Sequence, residues 1–255
     1  MPLHPRTIAF AIAIVAAIRV HVEAATTLST PINPDQDTVI ATGVSNAFVN
    51  NNYGSAGAVS VAGASSGKKE QRAVMRFNVS TVISSFNALL GVGNWSIDSV
   101  TLQLAAQVPG GTNPLFNNPN VAGTFRIDWV PGDSWVEGTG TPATPTTTGL
   151  TWANASLGTA VSQGNQSYNG GTGLMSFTWT PTSEMMQDIM NGGEMSLELS
   201  AVTATMSGIF TSTNNGTPSN WPSLNFTASP EPSRALLIVA GMLGVMSRRR
   251  RNNPA

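Results

Sequence analysis

The sequence predicts an all-β fold: a two-sheet antiparallel jelly-roll β-sandwich with one short helix, flanked by an N-terminal signal helix and a C-terminal short hydrophobic helix. Three observations carry this. Eight short runs alternate or are rich in β-branched residues, turn residues separate them, and only one segment has helical spacing. The runs are Asp37–Thr42, Ala58–Ala62, Arg72–Asn78, Ile97–Ala106, Thr124–Val130, Leu174–Thr180, Met195–Ala201 and Ser223–Thr227. Between them stand Asn52-Tyr53-Gly54, Pro109-Gly110-Gly111, Pro131-Gly132-Asp133, Asn169-Gly170-Gly171 and Asn214-Asn215-Gly216, each a turn signature. The one helical segment is Ser183–Met190, with Thr182 or Ser183 as N-cap, Glu184 in the first turn and Gly192 as the stop. Strands this short can each bury only one face, and two packed sheets satisfy them all. The threonine-rich stretch Gly138–Gly149 lacks apolar periodicity and is expected as an exposed loop within the sandwich.

Composition narrows the chemistry. The chain has 255 residues, of which 10% are charged and 41% hydrophobic. About 25% charged is usual, so ion pairs are scarce while a packed core is well supplied. There is no cysteine, and both histidines, His4 and His21, lie in the first 21 residues. A mature chain without that stretch has no Ser-His or Cys-His catalysis, no disulfide, and no ordinary zinc or copper ligand set. Carboxylate chemistry, oxygen-ligand metals, sugar stacking on aromatics, or no active site remain. Residues 25–229 form the body, with 5 basic against 11 acidic side chains, a net charge of −6. Such a surface does not attract nucleic acid or anionic lipid by bulk electrostatics. Lys68, Lys69, Arg72 and Arg76 are its one basic patch, or else an ordinary solvated loop and strand face.

Both termini carry targeting patterns. Arg6, the apolar run Ile8–Ile18, and Val22-Glu23-Ala24 make residues 1–24 a signal peptide cleaved between Ala24 and Ala25. Eleven apolar residues are too few to span a bilayer of roughly 30 Å. At the other end, residues 230–255 hold Pro230-Glu231-Pro232, the apolar run Ala235–Met246, and Arg248, Arg249, Arg250 and Arg251. Apolar residues partition into lipid and the arginines stay on the cytoplasmic side. Twelve helical residues reach only about 18 Å, which points to a transient sorting handle.

This tail resembles the PEP-CTERM protein-sorting signal of Gram-negative bacteria. The resemblance implies recognition at Pro230, Glu231 and Pro232 by an exosortase-type membrane protease, after export and signal-peptidase cleavage. The chain would be held transiently at the inner membrane by a short transmembrane helix and end at the cell surface or in the extracellular matrix. The body resembles DNRLRE-type domains, secreted jelly-roll modules related to carbohydrate-binding modules. The matching order is Gln36-Asp37-Thr38-Val39, Asn52-Tyr53-Gly54-Ser55, Arg72–Ser80, Ile97–Leu104, Trp135-Val136-Glu137, Leu150–Asn154, Phe177–Met190, Phe210-Thr211-Ser212 and Pro222-Ser223-Leu224. Two departures stand out: Met75-Arg76-Phe77-Asn78 replaces Leu-x-Phe-Asp, and Phe210-Thr211-Ser212-Thr213 lacks the family's Arg-Glu.

Candidate chemistry is sparse. Asp128, Asp133 and Glu137 around Trp129 and Trp135 form a candidate calcium site, which needs six to eight oxygens near 2.4 Å. The alternative has Asp133 capping a turn and Glu137 in a structural position. Asp35 and Asp37 are a second pair of the same kind. No cofactor beyond such a structural calcium is implied. Sugar stacking needs open aromatic faces. Trp129 and Trp179 lie within alternating strands and are expected in the core. Trp95, Trp135, Trp152 and Trp221 lie near turns and are the candidate glycan platforms, or else core residues or loop anchors. A glycosidase needs two facing carboxylates; a lyase would have to use Tyr53 or Tyr168, the only tyrosines. The expectation is a non-enzymatic exported protein binding or embedding in extracellular polysaccharide. The alternatives are a polysaccharide-degrading hydrolase or lyase, and a purely structural matrix protein.

Overall fold

The computed structural model describes residues 28–67, 69–110 and 115–231. The signal segment with its Ala24/Ala25 junction, Lys68, Pro232, the apolar run and Arg248–Arg251 lie outside the described residues. Eleven strands form one antiparallel sheet curled into a half-barrel, in the order β1-β11-β5-β10-β3-β4-β9-β6-β7, with β2 on β4 and β8 on β5. They are β1 (Leu28–Ile32), β2 (Gln36–Ala41), β3 (Ala58–Ala62), β4 (Gln71–Asn78), β5 (Trp95–Ala106), β6 (Gly123–Val130), β7 (Val161–Tyr168), β8 (Gly173–Trp179), β9 (Glu194–Ala201), β10 (Ser207–Thr211) and β11 (Ser223–Pro230). The ladder is long nearly everywhere. It narrows to one residue pair at two places, Phe210 with Ala106 and Ala62 with Gln71.

Alternation along the strands builds the core. Ala73, Met75 and Phe77 of β4 point the same way as Met195, Leu197 and Leu199 of β9 and Phe125 and Ile127 of β6. They meet Val100, Leu102 and Leu104 of β5, Phe177 of β8, and Leu224 and Phe226 of β11 in one cluster. Phe125 and Phe177 meet edge to face, centroids 4.9 Å apart.

Among the described residues two α-helices are present where the sequence predicts one. Helix α2 (Ser183–Asn191) is the expected one: the Thr182 hydroxyl accepts from Met185 N–H, and Gly192 ends it with φ 69°. Helix α1 (Ser80–Leu90) is the correction. Its serines and β-branched residues are weak helix formers. It forms because Val82 and Phe86, one turn apart, bury completely against the core, and Gly91 stops it at φ 87°. Strands β1, β7 and β10 are also additional to the eight expected.

Candidate functional site

The second face of the β2-β4-β9-β6 region carries the chemistry. Register dictates its floor: Ile40 lies opposite Arg72, Val74 opposite Glu198, and Glu198 opposite Asp128. Arg126 is two residues before Asp128 on the same face. Two carboxylates directly across a ladder repel. Each has its own cation here: Arg72 Nη1 donates to Glu198 Oε1 at 2.9 Å, and Arg126 Nε lies 2.7 and 2.8 Å from the two Asp128 oxygens. Arg72 also donates to Glu70 Oε1 at 2.7 Å. Burial alone would lower the Arg72 pKa, but Glu70 and Glu198 together hold it above the usual arginine value.

The segment after β6 folds back over this floor. Trp135, Leu150 and Leu157 pack on Ile40, Val74 and Val130. Thr151 and Asn154 close a capping box around a one-turn 3-10 helix, Trp152–Asn154. That turn sets the half-buried Trp152 ring 4.6 Å from the Arg72 guanidinium. A cleft of about 340 Å³ results, lined among others by Arg72, Arg126, Trp152, Leu157 and Glu198.

One buried asparagine holds the covering segment in place. Asn52 is fully buried; its Nδ2 donates to the carbonyls of Glu137 (2.6 Å) and Leu150 (2.9 Å), and its Oδ1 accepts from Gly54 and Gly140 N–H. The backbones meet so closely that a Cβ on Gly140 would sit 1.9 Å from Asn52 O, and one on Gly54 2.0 Å from Glu137 O. The threonine-rich loop is therefore pinned at its base, although much of its length is exposed.

That clamp brings Glu137 to β2. Glu137 N–H donates to Gln36 Oε1, and the Glu137 carboxylate accepts from Asn214 Nδ2 at 2.7 Å and from the Asp37 backbone N–H. Asp37 is fully buried: Oδ2 accepts from Thr213 N–H (2.7 Å) and Thr213 Oγ1 (2.8 Å), while Oδ1 has no hydrogen-bond partner. Burial pushes Asp37 up to about 6 against the Thr213 bonds. Burial and then the Asp37 charge push Glu137 up to about 7. Among the described residues, no basic side chain is one of the largest influences on either carboxyl.

The predicted site residues are thus redistributed. Asp128, Asp133 and Glu137 do not converge: Asp128 pairs with Arg126, Asp133 lies near Asp188, Arg76 and Glu194, and Glu137 meets Asp37. Asp35 and Asp37 also separate, since Asp35 pairs with Arg76 at 2.7 Å. Among the described residues, no group of three or more Asp, Glu, His or Cys side chains is placed to hold a metal ion. The basic patch divides as well: Arg72 faces the cleft, Arg76 bonds Asp35 and the carbonyls of Asp133 and Trp135, and Lys69 is exposed.

Of the candidate platforms, Trp95 and Trp135 are buried, at 2% and 8% exposure. Trp95 packs on Phe86 (centroids 5.0 Å apart) and donates to Asn87 Oδ1; Trp135 donates to Ser196 Oγ. Their faces are not offered to a ligand. Trp152 and Trp221 are half-buried, and Trp221 donates to the Asn215 carbonyl. Trp179 is buried, and Trp129 packs on the core edge while donating to Asp188. Tyr53 and Tyr168 are both buried, with hydroxyls bonded to Asn51 and to the Gly171 carbonyl. Of the sorting tripeptide, Pro230 ends β11 opposite Trp95, and exposed Glu231 donates its backbone N–H to Asn94 O at 2.8 Å. Among the described residues, no helix is long and apolar enough to cross a membrane.

No family model matches the chain, and no curated protein matches it. A solved structure similar in part is the stem and receptor-binding domain of the spike protein P1 from bacteriophage PM2. It is 6% identical, covers 81% of this chain and 97% of that one, and has a TM-score of 0.18.

Proposed function

We propose that this is an exported, non-enzymatic protein of the cell surface or matrix. Its body, a jelly-roll-type sandwich, engages extracellular polysaccharide through the Trp152 cleft. The sandwich reading is supported by the two single-pair links in the ladder. They divide it into β8-β5-β11-β1, the β10-β3 pair and β2-β4-β9-β6-β7, and one core cluster draws on all three. The observation that carries the binding reading is Trp152 against Arg72 in a cleft where each arginine already has a carboxylate. Sugars bind where a flat ring meets fixed donors and acceptors. With its charges internally balanced, this cleft favours neutral sugar hydroxyls over polyanions. The Asp37–Glu137 pair argues against hydrolysis, because fully buried Asp37 cannot reach a substrate. The sorting reading rests on the terminal sequence patterns: signal-peptidase cleavage after Ala24, then handling of Pro230-Glu231-Pro232 by an exosortase-type membrane protease.

The test is co-sedimentation of the detergent-solubilised full chain with a panel of neutral and uronic-acid polysaccharides, with assay of released sugar. Binding to a neutral glycan, lost in Trp152→Ala, weakened in Arg126→Ala and without sugar release, is expected. Binding unchanged by Trp152→Ala, or absent across the panel, overturns the assignment.

A further inference from the structure

The point where the chain leaves the sheet has a surface unlike the rest of the body. Glu231, the last described residue, is bonded through its N–H to Asn94 O at 2.8 Å. Asn94 belongs to the turn between α1 and β5, so the exit and that turn are one place. Residues 80–96 contain no charged side chain at all, in a body of net charge −6. Two large aliphatic side chains stand out from this neutral stretch, Leu89 at 65% and Val92 at 79% exposure. The turn is rigidly built. Gly91 N–H donates to Asn87 O, Asn94 N–H to Gly91 O, and Trp95 Nε1 to Asn87 Oδ1, while Phe86 and Trp95 anchor it in the core. An apolar tip on a fixed scaffold, uncharged along its own stretch and with exposed Glu231 at its edge, suits the headgroup–acyl boundary of a bilayer.

The covalent chain supplies the occupant. Only Pro232, Ser233 and Arg234 separate Glu231 from the apolar run Ala235–Met246. The four Cα steps from Glu231 to Ala235 reach at most about 14 Å. If that run partitions into lipid, the Asn94 turn is held close to the membrane surface. The acidic groups of the body would be repelled by anionic lipid; residues 80–96 carry none, and Glu231 stands at their edge. We propose that the α1–β5 turn, through Leu89 and Val92, lies on the lipid bilayer while the C-terminal run is in the membrane. The run and this tip then act together, which offsets the shortness of a twelve-residue anchor. The inference rests on the sorting-tail reading above.

The absence of cysteine allows a single environment-sensitive label to be placed at will. Val92→Cys and Val108→Cys make a matched pair, because Val108 is 74% exposed just past the other end of β5. Twelve strand residues put the two sites roughly 40 Å apart. The full chain, labelled at either site, is reconstituted into phosphatidylcholine vesicles containing some phosphatidylglycerol. The label at 92 is expected to shift to the blue and be quenched by lipids brominated near the headgroup, with the label at 108 unchanged. The double variant Leu89→Asp/Val92→Asp is expected to keep its circular dichroism and to partition roughly tenfold more weakly. Chain that floats with vesicles while both labels stay in water overturns the docking and leaves the tail reading standing. Chain that does not float overturns the tail reading, and the docking with it. A label at 92 that becomes buried without lipid, in proportion to protein concentration, assigns the tip to a second copy of the chain instead.

Discussion

Replacing Asp37 by asparagine should stabilise the protein at alkaline pH, by an amount the site itself sets. Asp37 is fully buried, one carboxyl oxygen has no partner, and its charge presses on Glu137. Its pKa rises from 3.8 to about 6, and that of Glu137 from 4.5 to about 7. Between about pH 4 and 7 the folded state therefore binds more protons than the unfolded chain. Stability is greatest below the unfolded values, falls as pH rises through the folded ones, and is flat above them. A shift of about two units in Asp37 corresponds to roughly 3 kcal/mol. Part of the Glu137 shift is the Asp37 charge, so the two are not summed. The substituted amide would keep an acceptor for Thr213, and its NH2 would stand where an oxygen already lacks a partner, so no existing hydrogen bond is lost. At pH 8, Asp37→Asn should gain about 2–3 kcal/mol, or roughly 4–12 °C in Tm for a domain of this size. At pH 4 it should match the wild type. The assay is thermal melting of the full chain across this range. A variant less stable than wild type at pH 8, or a difference independent of pH, would refute the reasoning.

Three further outcomes follow from the packing. Asn52→Ala removes two donated bonds and strands the Gly54 and Gly140 N–H groups; urea unfolding should show a loss of roughly 3–5 kcal/mol, and proteases should cut within residues 138–149. Thr182→Ala deletes the α2 cap, and the same unfolding curves should move by about 1 kcal/mol, with Thr182→Ser restoring most of it. Phe77→Ala opens a cavity where β4 faces the core, and a cost of about 3–5 kcal/mol is expected in denaturant titration.

What the sequence disclosed, and what it hid, divides along one physical line: contacts local in the chain were legible and cross-strand ones were not. The strands with clear apolar alternation, β2 to β6, β8, β9 and β11, are where the sequence puts them, and so is α2 with its Thr182 cap and Gly192 stop. Strand β7, with the sequence VSQGNQSY, is mostly polar and half-exposed, so it has no apolar period to read. Strand β10 holds Gly208, whose hydrogen faces the Tyr168 and Phe210 rings about 3.0 Å from where a Cβ would stand. Helix α1 also decides the place of Trp95. Trp95 beside a glycine turn looks like a platform, yet Phe86 and Asn87 of that helix close over its face and its N–H. Helix α1 did leave one signal, Val82, Phe86 and Leu90 at intervals of four. The cleft is half visible in the sequence: Trp152 stands out as an aromatic near a turn and Arg72 as part of the basic patch. Arg126 and Glu198 do not stand out, because only the β6–β9 register sets Asp128 against Glu198 and so requires a cation for each. The Asp37–Glu137 contact spans one hundred residues and depends on a buried asparagine that the sequence offers only as part of a turn. No local period records such a clamp, so the chemistry of this protein is set where its loops return to the sheet.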